Sequence, residues 1–217
     1  MIETPNIRSK IWRAAHGLAL LGLIIATGLV PVLQTWPWPW LASIAAYFLL
    51  VAVVPKLRAS FRPWRFGRVS TFSIFATLVI AIGSGAVLVV FHVFNRYALG
   101  FLPMLVPHRM LGSIFIAGVV VSVLNGLFEE VVFRGVFFDA IEAPCGAWAA
   151  VAATAAIFGY GHMHGYPSGP LGALLAGIYG LALGWLRVVT GGIGLPVIAH
   201  IAADATIFII AARSGIL

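Results

Sequence analysis

Glu129 and Glu130 stand side by side in the stretch NGLFEEVVFRG (125–135), and Arg134 follows. Thirteen uncharged residues, Leu111–Val123, precede this stretch, and Val136, Phe137 and Phe138 follow it. Unpaired charge in apolar surroundings is costly, so these groups need partners or a task. On a helix Glu130 and Arg134, four apart, share a face and can pair. Glu129 then has no ionic partner on its own helix, although Asn125, one turn earlier, can offer it a hydrogen bond. Two further groups carry chemistry. IFGYGHMH (157–164) contains His162 and His164, and LPVIAHIAADATIF (195–208) contains His200 and Asp204, four apart and on one helical face. A carboxylate shielded from water is a usable base near neutrality. It could activate a water, while the histidines position that water, donate protons or stabilise an oxyanion. These parts suffice for amide hydrolysis without a side-chain nucleophile. Buried acids and histidines also serve proton-coupled transport, which stays open as an alternative.

The elements that position these groups must be membrane helices. Of 217 residues, 62% are hydrophobic and 9% charged, and the mean hydropathy is +1.07. A soluble domain carries about 25% charged residues, so the solvent here is lipid. The fold class expected is all-α: a polytopic bundle of about seven transmembrane helices around a buried polar pocket. The spans read as 11–33, 38–57, 69–94, 111–142, 146–163, 169–190 and 193–213. They form a single integral membrane domain, 1–217, with three N-terminal spans in 1–110 and a catalytic core in 111–213. The apolar run Ala14–Leu33 follows Arg8, Lys10 and Arg13 and reads as a retained anchor rather than a signal peptide. Pro37, Pro39, Pro103, Pro107, Pro144, Pro167 and Pro170 fall between spans. Trp36, Trp38, Trp40 and Trp64 suit interfacial anchoring. Ala176, Gly180 and Gly184 form a small-residue seam for a neighbouring helix.

Charge sets orientation. With the N-terminus cytoplasmic, that side receives Arg8, Lys10, Arg13, Lys56, Arg58, Arg62, Arg65, Arg68 and Arg187; the other receives Arg96, Arg109 and Arg213. Nine against three is a positive-inside bias and suits a bacterial inner membrane. The net charge of +7 therefore reflects membrane flanks rather than nucleic-acid binding. The single cysteine, Cys145, excludes an internal disulfide and reads as a packing residue. Depths then converge. Glu129 lies 13 residues before Glu142 and His162 lies 16 after Gly146, about 20 and 24 Å from one turn. His200 and Asp204 sit at roughly 10 and 17 Å from Ile193 on the same side. Four ionisable groups thus reach one pocket.

These residues resemble the CPBP intramembrane proteases, which include the CAAX prenyl endopeptidases of the Rce type and bacteriocin-processing relatives. The family pattern is EExxxR, then FxxxH, then HxxxN or HxxxD, each on a membrane helix. Here it reads EEVVFR (129–134), FGYGH (158–162) and HIAAD (200–204), in order. The resemblance covers about residues 111 to 213. It implies that Glu129 activates water, that Glu130 with Arg134 braces it, and that His162 holds or polarises the water. His200 and Asp204 would stabilise the oxyanion or handle protons. An Asn in the last position can donate a hydrogen bond directly; Asp204 donates only if protonated, or else orients His200.

No H-E-x-x-H is present, and the favoured mechanism uses no cofactor. Glu129, His162 and His200 could still form a His₂Glu zinc site, which leaves a metalloprotease as the alternative. His164, two residues past His162, reads as interfacial. A transporter would favour symmetric half-spans, and the sequence carries no repeat. A rhomboid-like serine protease is not supported by GYPSG, and a non-catalytic immunity or scaffold protein would show a broken motif. The expected partners are the bilayer and a membrane-associated peptide or protein, such as a bacteriocin leader or a C-terminal sorting tail.

Overall fold

The computed structural model describes residues 7–62, 64–95 and 114–214. Arg96, Pro103, Pro107, Arg109 and the start of the fourth expected span lie outside the described residues. Within them every regular element is a helix: α1 (Ile7–Gly28), α2 (Trp38–Val53), α3 (Pro55–Ser60), α4 (Thr71–Phe94), α5 (Ile114–Glu130), α6 (Phe138–Cys145), α7 (Ala147–Gly161), α8 (Gly169–Thr190) and α9 (Gly194–Arg213). A short 3₁₀ turn spans Pro31–Leu33, and a π-helical segment, Val131–Phe137, joins α5 to α6 in one rod.

The sequence explains the ends. Ser70 caps α4, its hydroxyl accepting from the Ser73 amide while the Ser73 hydroxyl accepts from the Ser70 amide. Pro39 and Pro170 lie in the first turns of α2 and α8, where a missing N–H costs nothing. Pro144 sits in the last turn of α6 rather than between spans. Gly191, at φ +69°, ends α8 in the left-handed conformation that glycine adopts freely.

Lys10–Gly28, Thr71–Phe94, Phe115–Cys145, Gly169–Thr190 and Gly194–Arg213 are long and apolar enough to cross a membrane. All seven expected apolar segments are helical, but α2 and α7, at 16 and 15 residues, are shorter than the roughly 20 a full crossing takes. Along α4, Phe72, Phe75, Ile82, Val90 and Phe94 are all more than half exposed, an apolar patch that suits contact with lipid. The chain is an integral membrane helical bundle.

Packing follows small residues. A Cβ on Gly180 would stand 3.0 Å from the Ala155 Cα, and one on Gly184 3.0 Å from a Val151 methyl. The expected seam on α8 therefore seats α7, antiparallel to it. Helix α9 packs on α4, α5 and α8, while α1 packs on α2 and α6. At one end of the bundle the Arg68 amide donates to the Thr190 carbonyl, and the Ile193 and Gly194 amides donate to those of Arg65 and Phe66. Arg13 pairs with Glu142 and Arg187 with Asp139 at that same end. Cys145 is exposed there rather than packed, because it lies in the final turn of α6 where the chain reverses.

Candidate active site

The rod places the paired glutamates. Helix α5 ends on Glu130 and widens at once into the π segment, where a continuous α-helix was expected. Gly135 lets the Trp64 indole lie against the widened turn; a Cβ there would fall 2.7 Å from the ring. Arg187 Nε–H donates to the Arg134 carbonyl at 3.3 Å, satisfying one backbone group of that turn. π-helical turns are frequent at functional sites.

Glu130 and Arg134 are both 0% exposed and pair at 2.7 Å, as their spacing suggested. The second Arg134 terminal nitrogen donates to the Gly180 carbonyl at 3.1 Å, and the guanidinium lies over the Phe158 ring at 4.8 Å. Arg134 therefore ties the rod to α7 and α8. Glu130 Oε1 also faces His200 Nδ1 at 2.8 Å. A carboxylate held by arginine can only accept, so Nδ1–H of His200 donates.

His200 is the hub. Its other nitrogen, Nε2, stands 3.4 Å from Glu129 Oε2 and 3.9 Å from Asp204 Oδ1. The close approach of α9 that brings it there depends on Gly126, where a Cβ would meet the Ile201 amide nitrogen at 3.1 Å. Glu129 Oε2 is buried and has no hydrogen-bond partner. Asn125 hydrogen-bonds Glu129, as its place one turn earlier suggested, and also donates across to Asp204 Oδ2 at 3.2 Å.

His162 comes in from the antiparallel neighbour. Phe133 meets Phe158 with ring centroids 5.1 Å apart. Four residues further along each helix, the same register brings Glu129 level with His162. His162 Nδ1 is 2.9 Å from the Phe158 carbonyl. A carbonyl only accepts, so Nδ1 carries the proton and Nε2 of the neutral ring is left as an acceptor. Asn125, Glu129, His162, His200 and Asp204 all line one cavity of about 520 Å³, whose remaining wall is largely apolar and includes α4. His164 is exposed and lies outside it.

Among the described residues no three His, Cys, Asp or Glu side chains group as metal ligands. Glu129, His162 and His200 share the cavity, and Glu129 Oε2 and His200 Nε2, 3.4 Å apart, are close enough to ligate one ion together.

Two participants were not read from the sequence. Phe158 was noted only as a motif letter, yet its ring packs on His162, His200 and Arg134. Tyr179 stands edge-on to His200 at 5.7 Å with its hydroxyl buried and unpartnered. A single tyrosine in the apolar helix α8 was the available signal.

Residues 111–206 match the family model described as type II CAAX prenyl endopeptidase Rce1-like. No curated protein and no solved structure matches the chain. The matched segment contains all three motifs, and their side chains meet at the one cavity just described. Over this segment the chain is similar to the CPBP/CAAX protease family.

Proposed function

We propose that this protein is an intramembrane endopeptidase that cleaves a membrane-associated peptide or protein by a glutamate-activated water. The observation that carries this reading is Glu129 Oε2: buried, without a hydrogen-bond partner, and facing His200 Nε2 at 3.4 Å in a cavity shared with His162. Other buried carboxylate oxygens here, Glu130 Oε1 and Asp204 Oδ2, accept hydrogen bonds from the protein. Glu130 Oε2 is also buried without a partner, but Glu130 does not line the cavity, so Glu129 Oε2 is the one placed to take a proton from a molecule there.

In this mechanism Glu129 removes a proton from a water held by His162 Nε2. The water oxygen bonds to the scissile carbonyl carbon, and the carbonyl π electrons move onto oxygen. Collapse of this tetrahedral intermediate breaks the C–N bond, and the proton on Glu129 passes to the departing amine. Glu130 and Arg134 hold His200 through Nδ1, so that Nε2 stays directed at the reacting groups. His200, with Asp204 Oδ1 3.9 Å from its Nε2, supports the developing charge.

Glu129→Gln keeps the shape of the side chain and removes its basicity. The expected outcome is folding and peptide binding close to wild type, with cleavage reduced by at least about 10²-fold. Cleavage of a membrane-anchored peptide by purified protein in detergent or liposomes measures this. Wild-type turnover in Glu129→Gln would falsify the glutamate mechanism.

A further inference from the structure

Past Glu130 the rod gives up one α-helical hydrogen bond, and a side chain from another helix replaces it. In an α-helix the Phe138 amide donates to the Arg134 carbonyl, four residues back. Here it donates to the carbonyls of Phe133 and Gly135 instead. Arg187, in the last turn of α8, supplies the missing donor: its Nε–H reaches the Arg134 carbonyl at 3.3 Å. The same guanidinium donates through Nη2 to Asp139 Oδ1 at 3.3 Å and lies over the Phe138 ring at 5.1 Å. One rigid plane thus grips the π turn and its exit at residues 134, 138 and 139. The Arg187 side chain is only 15% exposed, which leaves water little access to these bonds. The turn it grips carries the Arg134 side chain, which pairs with Glu130 at 2.7 Å, and Glu130 accepts from His200 Nδ1 at 2.8 Å. Without Arg187 the Phe138 amide can return to the Arg134 carbonyl, which regularises the turn and moves residue 134 relative to Glu130.

We propose that Arg187 is a positioning residue for peptide cleavage: its bond to the Arg134 carbonyl holds the π turn open and so, through Arg134 and Glu130, keeps His200 Nε2 directed at Glu129. The inference rests on the peptidase reading above. Arg187→Lys is the informative variant, because lysine keeps the charge opposite Asp139 but has a single nitrogen in place of the planar fork. The experiment measures kcat and KM on a membrane-anchored peptide, with thermal melting, for Arg187→Lys, Arg187→Ala, Glu130→Gln, Arg187→Lys/Glu130→Gln and Arg13→Gln. Arg13→Gln breaks the other ion pair on α6, at Glu142, and is the control for lost stability alone. Glu129→Gln is the reference for the reaction.

A displacement of about 1 Å at a reacting group can cost about 10²-fold in rate. Arg187→Lys is expected to lose about tenfold to 10²-fold in kcat with KM nearly unchanged, and Arg187→Ala at least as much. Because the effect runs through Glu130, Arg187→Lys should cost little further kcat once Glu130 is replaced by Gln, and the melting losses of the two changes should not add. Arg13→Gln should melt lower with kcat close to wild type. A wild-type kcat in Arg187→Lys overturns the proposal. So does a kcat loss that Arg13→Gln reproduces, or one that multiplies in full with that of Glu130→Gln. Should Arg187→Ala not fold, Arg187→Lys decides. Should Glu129→Gln itself cleave, the peptidase reading falls; additive melting losses then overturn this inference and non-additive ones support it. Should Glu129→Gln be inactive and Arg187→Lys as fast as wild type, only this inference falls.

Discussion

Adjacent acids with identical side chains occupy different positions in the network. Glu130 is enclosed by Arg134 and His200, whereas Glu129 Oε2 faces the cavity with no bond of its own. Environment separates roles that residue type cannot, a common arrangement in acid–base pairs. The same atoms bear on the metal question. His162 Nδ1 is occupied by a backbone carbonyl, and His200 has its nitrogens against carboxylates on both sides. Glu129 Oε2 and His200 Nε2, 3.4 Å apart, could share one ion, but among the described residues no third such side chain groups with them. Active purified protein is therefore expected to hold far less than one zinc per chain and to keep its activity under exhaustive chelation. Elemental analysis of the same active sample decides this. Stoichiometric zinc, with activity lost on stripping and regained on readdition, would establish the metalloprotease alternative.

At the scale of elements, Arg134 is the tie between the rod, α7 and α8. It bonds Glu130 and the Gly180 carbonyl and covers the Phe158 ring. Arg134→Ala would leave Glu130 buried with a single partner, and truncating one member of a buried pair costs about 3–5 kcal/mol. A lower melting temperature and a lower folded yield in detergent are expected. Glu130→Gln/Arg134→Gln, with no buried charge left at the pair, should melt above Arg134→Ala. Equal melting of wild type and Arg134→Ala would remove the tie. The i,i+4 pairing was legible in the sequence because either helix geometry keeps residues four apart on one face. The π turn was not: VVFRG contains no proline and reads as ordinary helix. Its width depends on Trp64 and Arg187, which arrive from distant parts of the chain.

For the whole molecule, the basic segments gather at one end. Residues 65–68 bond to the α8–α9 turn, Arg13 reaches Glu142, and Arg187 reaches Asp139. We propose that this end is cytoplasmic, as positive charge favours. Cys145 is exposed at the same end and is the chain's single cysteine, so it reports orientation without mutation. A membrane-impermeant maleimide is expected to label it in inside-out vesicles and to leave it unlabelled in intact cells. Labelling in intact cells would reverse the orientation.

Composition and spacing alone determined the membrane setting, the helical class and the three motifs. Hydrophobic run length is a one-dimensional property, and residues four apart share a helical face wherever the helix sits. The similar depth of Glu129 and His162 followed from counting residues on either side of one turn. Only the tertiary structure decided which atoms meet. That Asn125 turns to Asp204, that His200 joins both glutamates, and that Gly126 admits α9 all depend on how separate helices approach and rotate. Those angles are set by small residues and side chains packing across the bundle, and no segment of the chain records them by itself.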